Sequence, residues 1–284
     1  MKRFSLLVTL FAVGAAVFAA ENRLMLWPRK VEGDFQPFLE LYLLEKAPEA
    51  PAGLVLICPG GGYARRAKHE GEPIAKVFNE LGWHAAVLQY RTAPSVYPAP
   101  QQDALRAIRL VRAHAAKWKV KPDNIAVLGF SAGGHLAASC GTLWNGINAD
   151  AGDAADRESA RPDAMILCYP VINVSTGHRG SGRRLLGAKE PDKEKLAKLD
   201  LETRVTADTP PAFLWHAAYD RVVPVWNSIR FAEAMWAHKR TAELHIFPRG
   251  SHGISWGAKL DKIPEVRIWP TLADRFLKMA FRAR

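Results

Sequence analysis

Ile125-Ala126-Val127-Leu128-Gly129-Phe130-Ser131-Ala132-Gly133-Gly134-His135 passes without a charge from a continuous apolar run into the pattern G-x-S-x-G, and on into a segment of helical length, Gly134 to Trp144. A serine on a sharp turn between a buried strand and a helix is exposed as a nucleophile. The flanking positions must be glycine, because larger side chains would strike neighbouring backbone. The bare pattern arises by chance about 0.05 times in a chain of this composition. Its position between strand and helix is what gives it weight.

Outward from this stretch, short apolar runs recur at Leu54 to Cys58, Ala85 to Leu88, Met165 to Tyr169, Ala212 to His216 and Leu244 to Phe247. Such runs fit strands buried on both faces. Between them Glu72 to Leu81, Gln101 to Lys117 and Val225 to His238 have helical length and period. Alternating strands and helices predict an α/β fold, a mostly parallel sheet with helices on both faces. Phe38 to Leu44 alternates and is expected as an antiparallel edge. From Ile172 to Thr209 the rhythm stops, and the stretch mixes Gly177, Gly180, Gly182 and Gly187 with a charged helix-like segment, Asp192 to Asp200. It reads either as a small insertion over the ligand-binding side of the sheet or as a plain solvated connection.

With 49% hydrophobic and 24% charged residues, disorder and short-period repeats are excluded. Three cysteines in 284 residues cannot staple a fold this large, and Cys58, Cys140 and Cys168 sit in apolar surroundings that predict buried free thiols. Lys2 and Arg3 precede an uncharged run, Phe4 to Ala20, with Val17 and Ala19 at the recognition positions of an export signal. Residues 1–19 are therefore expected to be removed, with cleavage after Ala20 as the variant, leaving 20–284 as one domain. The expected destination is periplasmic or extracellular, without stable membrane insertion, since the run is shorter than a comfortable span. The net charge of +11 favours polyanions, but the basic residues are scattered. Arg106, Arg109 and Arg112 read as the solvated face of one helix, and no nucleic-acid partner is expected. No metal-ligand spacing is present, and no cofactor is expected.

A serine needs a base, and the base an orienting carboxylate, in the chain order Ser, acid, His for a nucleophile after a strand. Asp220 follows the run ending at His216, and His252 follows the run ending at Phe247, so both emerge at the sheet edge that carries Ser131. Asp208 is the weaker rival acid, and Asp220 could instead cap the helix after Val225. Gly250 and Gly253 let the histidine loop turn tightly. Oxyanion donors are expected from Pro59-Gly60-Gly61-Gly62-Tyr63 and from the residue after the serine: Gly61, Gly62 and Ala132, with the register open by one.

Several further segments, His69-Glu70-Gly71-Glu72-Pro73-Ile74-Ala75, Tyr90-Arg91-Thr92-Ala93-Pro94, Gln102-Asp103-Ala104, Gly129 to Ala137, Ala217 to Pro224 and Gly250-Ser251-His252-Gly253, join the glycine loop and triad order. With these the chain, from about Leu54 onward, resembles the α/β-hydrolase superfamily, specifically its carbohydrate-esterase, acetylxylan-esterase-like branch. Pro59 stands where lipase-like esterases carry the histidine of HGGG. That departure weakens a lipid-ester reading and suits the sugar-ester branch, as does His178-Arg179-Gly180-Ser181 followed by Leu185-Leu186-Gly187. The resemblance implies a cofactor-free serine esterase acting on short acyl esters, acetyl above all, of plant-type polysaccharides such as xylan. A feruloyl or general short-chain carboxylesterase, a prolyl-oligopeptidase-like peptidase and a non-catalytic carbohydrate-binding scaffold are the alternatives. Tyr63, His69, His178, Arg183 and Trp256, in loops or the insertion, are the expected sugar contacts.

Overall fold

The structure, a computed structural model, describes residues 22–45, 50, 52–256 and 263–282. The export-signal segment lies outside them. Eight strands form one sheet: β1 (Arg23–Met25), β2 (Phe38–Tyr42), β3 (Ala52–Cys58), β4 (His84–Gln89), β5 (Val120–Phe130), β6 (Ala164–Cys168), β7 (Ala212–Ala217) and β8 (Ala242–Phe247). Their order is β1-β2-β4-β3-β5-β6-β7-β8. From β4 to β8 every neighbour is parallel, and all six apolar runs of the sequence are strands.

Phe38–Tyr42 pairs antiparallel with β4 as expected, but it is not the edge. Arg23–Met25 pairs on its outer side, a strand too short and too exposed to leave an apolar signature. Alternate residues of the central strands feed two cores. Leu54, Leu56 and Cys58 face one layer, and Val55 and Ile57 face the other. Helices α1 (Glu72–Glu80), α2 (Ala99–Ala113), α3 (Ala115–Trp118) and α4 (Ala132–Thr142) follow in chain order. The insertion contributes α5 (Arg179–Leu185) and α6 (Lys193–Ala197), and α7 (Trp226–Ala237), α8 (Pro264–Arg267) and α9 (Trp269–Arg282) complete the chain. Residues of α2, α4 and α7 pack into the first core, and those of α1 and α9 into the second. The three cysteines are free and buried.

The arginine row on α2 is not a solvated face. Arg106 is 1% exposed. Its guanidinium donates to Leu26 O at 2.9 Å and pairs with Asp153 and Asp156. Arg109 meets Asp150, and Arg112 meets Asp163 at 2.8 Å. The segment between α4 and β6 folds across this face and supplies the carboxylates. The three-residue spacing identified the face correctly, but nothing local announced the acidic strap that covers it.

Candidate active site

β5 delivers Ser131 at its C-terminal end, where the backbone turns directly into α4. The turn forces Ser131 to φ 52° and ψ −119°, a conformation L-residues avoid and surroundings must hold. Three backbone bonds hold it: Ser131 N donates to Cys168 O, and Ser131 O accepts from His135 N and Val171 N. A Cβ at Gly129 would lie 2.0 Å from Gly133 O, and one at Gly133 2.1 Å from Cys58 O. Both flanking glycines are thus imposed by backbone contact rather than by flexibility.

Ser131 Oγ lies 2.8 Å from His252 Nε2, and His252 Nδ1 lies 2.7 Å from Asp220 Oδ2. The second Asp220 oxygen accepts from Val222 N at 2.8 Å and Val223 N at 3.0 Å. Burial pushes the Asp220 carboxyl up, but bonds from His216, His252 and Val223 outweigh it and hold the group well below the usual carboxylate range. Asp220 therefore stays ionised and fixes the proton of His252 on Nδ1, leaving Nε2 free to accept from Ser131. Asp208, the rival acid, lies elsewhere, with its carbonyl bonded to Arg161.

The glycine loop after β3 arrives beside the serine. A Cβ at Gly60 would touch Ser131 Cβ at 3.1 Å and Phe130 O at 2.6 Å. Gly61 and Gly62 take φ of 124° and 66°. The amides of Gly61, Gly62 and Ala132, the last at the N-terminus of α4, meet no acceptor among the described residues, so they are free to receive a developing anion.

The expected sugar contacts do not all gather here. His178 is half-buried and lies within electrostatic reach of His252 and Asp220. Its Nδ1 accepts from Ser181 N and lies 2.8 Å from Ser181 Oγ. Burial and the neighbouring His252 and Arg184 push it down, so it is neutral with its proton on Nε2. Tyr63 is enclosed, 1% exposed, its hydroxyl bonded to His135 Nδ1 at 2.8 Å. His69 donates from Nε2 to Gly253 O at 3.2 Å. Arg183 pairs with Glu190 in a separate cleft of the insertion with Ser175 and Arg179, and Trp256 lies under Arg267.

Sequence reasoning missed His216 and Glu70. His216 donates from Nε2 to Val223 O at 2.9 Å and stands 3.4 Å from Asp220 Oδ2. A histidine inside a predicted strand gave no hint of that contact. Among the described residues no group of three or more His, Cys, Asp or Glu could hold a metal ion, and no helix is long and apolar enough to cross a membrane.

A serine elbow after the central strand of a mostly parallel sheet, with an acid and a histidine after later strands, defines an α/β-hydrolase. Residues 39–235 match the BD-FAE family, and the chain belongs to it, on the carbohydrate-esterase-like branch of the α/β-hydrolases. The crystal structure of the acetyl ester-xyloside bifunctional hydrolase from Caldicellulosiruptor lactoaceticus is 40% identical, with a TM-score of 0.84 over 90% of this chain and 95% of that one. Endo-1,4-beta-xylanase B of Butyrivibrio fibrisolvens is 39% identical over 71% of this chain and 32% of its own length. Acetylxylan esterase of Xylanibacter ruminicola is 32% identical over 74% of this chain and 43% of its own. The chain thus spans less than half the length of each of these two curated relatives.

Proposed function

We propose that the chain is an exported serine esterase that removes short acyl groups, acetyl above all, from plant-type polysaccharides such as xylan or from their oligosaccharides. The observation that carries this reading is the continuous relay from Ser131 Oγ through His252 to Asp220, at 2.8 and 2.7 Å, beside the glycine loop. Ser131 Oγ attacks the ester carbonyl carbon while His252 Nε2 takes its proton, and Asp220 stabilises the imidazolium. The tetrahedral oxyanion is received by the Gly61, Gly62 and Ala132 amides. His252 then returns the proton to the departing sugar oxygen, leaving an acyl-enzyme that water, activated by the same histidine, hydrolyses.

The esterase activity is supported by family membership and by the acetyl ester-xyloside hydrolase of nearly equal length. The sugar-acetyl substrate is supported by the names of the acetylxylan esterase and the acetyl ester-xyloside hydrolase, and by an insertion rich in glycine and basic residues. Export rests on the sequence pattern at Lys2 to Ala20, and N-terminal sequencing of the secreted protein should begin at Ala20. An acyl-chain series on one chromogenic leaving group, run beside acetylated xylan, tests the substrate. Acetyl should exceed butyryl, octanoyl should be poor because on this reading added methylenes, each worth about 0.8 kcal/mol when buried, are not taken into an apolar wall, and xylan should release acetate. Activity peaking at octanoyl, with no acetate released, overturns the sugar-acetyl reading.

A further inference from the structure

Behind the triad lies a second buried carboxylate. Glu70, 2% exposed, closes the 3₁₀ turn Lys68–Glu70. Its Oε2 accepts from Gly60 N at 2.8 Å, and its Oε1 accepts from Tyr169 Oη at 2.7 Å. Tyr169 Oη in turn accepts from Ser255 N at 3.0 Å, and Ser255 Oγ donates back to His69 O at 3.0 Å. The Tyr169 ring stands edge-on to the His252 imidazole, 5.1 Å between centroids. Tyr169 and Ser255 both have positive φ, 36° and 48°, so the residue bonded to the carboxylate and the one bonded to that residue's hydroxyl are both strained.

From this geometry we infer that Glu70 is a positioning residue of the hydrolytic site, an anion that holds the glycine loop by Gly60 and the histidine loop by way of Tyr169 and Ser255. It thereby sets the distance between oxyanion donors and base. The inference rests on the serine-hydrolase reading above.

The hydrogen bonds decide the charge of Glu70. Tyr169 Oη already accepts from Ser255 N, so its proton is directed to Glu70. Gly60 can only donate. A protonated Glu70 would face two donors with a third, so the arrangement belongs to the carboxylate. Facing it are His69 on its own turn, Tyr90 beyond β4, Cys168 and Tyr169 at the end of β6, and His252. Burial pushes the Glu70 carboxyl up, against the pull of Tyr169, Gly60 and the two histidines. A buried anion kept at such a cost is weak evidence for stability. Gly60 bears the mark of the contact as well, since a Cβ there would lie 2.8 Å from Glu70 Oε2. An anion at Glu70 also favours the imidazolium that His252 becomes when it takes the serine proton.

The test is Glu70→Gln in the full chain, with hydrolysis of a chromogenic acetate ester followed across pH and thermal unfolding recorded alongside. The glutamine keeps the shape but sets an amide donor against a donor and removes the charge. The expected result is a kcat lower by roughly 10- to 100-fold, an acid limb of kcat/KM moved to lower pH by about half a unit, and a Tm unchanged or raised. A wild-type kcat overturns the inference, and so does a lowered kcat with an unmoved acid limb, which would mark a merely structural residue. If Glu70→Gln does not fold, Tyr169→Phe serves in its place. It deprives Glu70 of one donor, so the carboxyl protonates nearer neutrality and the acid limb should move to higher pH; an unmoved limb overturns the inference. Failure of the underlying reading is separate, because wild-type protein would then show no turnover of the acetate ester at all.

Discussion

In the proposed mechanism Ser131 is the residue on which the chemistry turns, and its backbone, at φ 52° and ψ −119°, is held in a conformation L-residues avoid. The strain is held by bonds to Cys168 and Val171, residues that pack regardless of the side chain at 131. Ser131→Ala should therefore fold and bind normally, yet lose roughly 10⁶ in kcat, as loss of a nucleophile does in comparable triads. Burst titration and steady-state hydrolysis check this; retention of more than about a tenth of the rate in a stable variant would move the nucleophile elsewhere. Because Asp220 is held well below the usual carboxylate range, it stays charged across the working pH range, and its own titration should not appear in the acid limb of kcat/KM. Ser131, Asp220 and His252 were legible because each follows an apolar run by a few residues. Glu70 and Tyr169 were not, because each acts through a partner distant in sequence, as in the bond from Tyr169 to Glu70 across 99 residues; nor was His216, because a histidine inside an apolar strand run carries no sign of its contact with Asp220.

Among the elements, α4 links the nucleophile turn to the insertion through His135. Its Nδ1 lies 2.8 Å from Tyr63 Oη, and its Nε2 donates to Leu199 O at 2.9 Å, so the ring is neutral. Burial pushes it down to about 4, against about 6.5 for a free histidine. Between those values the unfolded chain binds a proton that the folded chain does not, so stability falls as pH drops through the window. The loss should be on the order of 3 kcal/mol from pH 7 to pH 4. His135→Gln, which can keep both bonds, should flatten that dependence in urea titrations at pH 7, 5.5 and 4.5; an equal slope in both proteins removes His135 as its source. The strands were legible as elements because burial on both faces writes an unbroken apolar run. The covering of α2 was not, since Asp150, Asp153, Asp156 and Asp163 belong to an irregular segment without period. Nor was Arg23–Met25, whose three residues carry no pattern.

At the scale of the whole molecule, the sheet needs both faces covered, and the second face depends on α9. Trp269 is fully buried, stacked on Trp215 at 5.5 Å and edge-on to Phe130 at 6.0 Å, the residue that immediately precedes the nucleophile. Asp274 on the same helix accepts from Trp83 Nε1 at 2.8 Å. Trp269→Ala should cost about 3–5 kcal/mol in equilibrium urea unfolding, and a loss under about 1 kcal/mol would show that the elbow does not lean on this helix. The order of the sheet carries one more consequence. The glycine loop, the serine turn, the acid and the base follow β3, β5, β7 and β8 in turn, so the site is assembled from stations spread from Gly60 to His252 of the 284-residue chain. A chain emerging stepwise during synthesis therefore cannot assemble the proposed relay until the loop of His252 has been released.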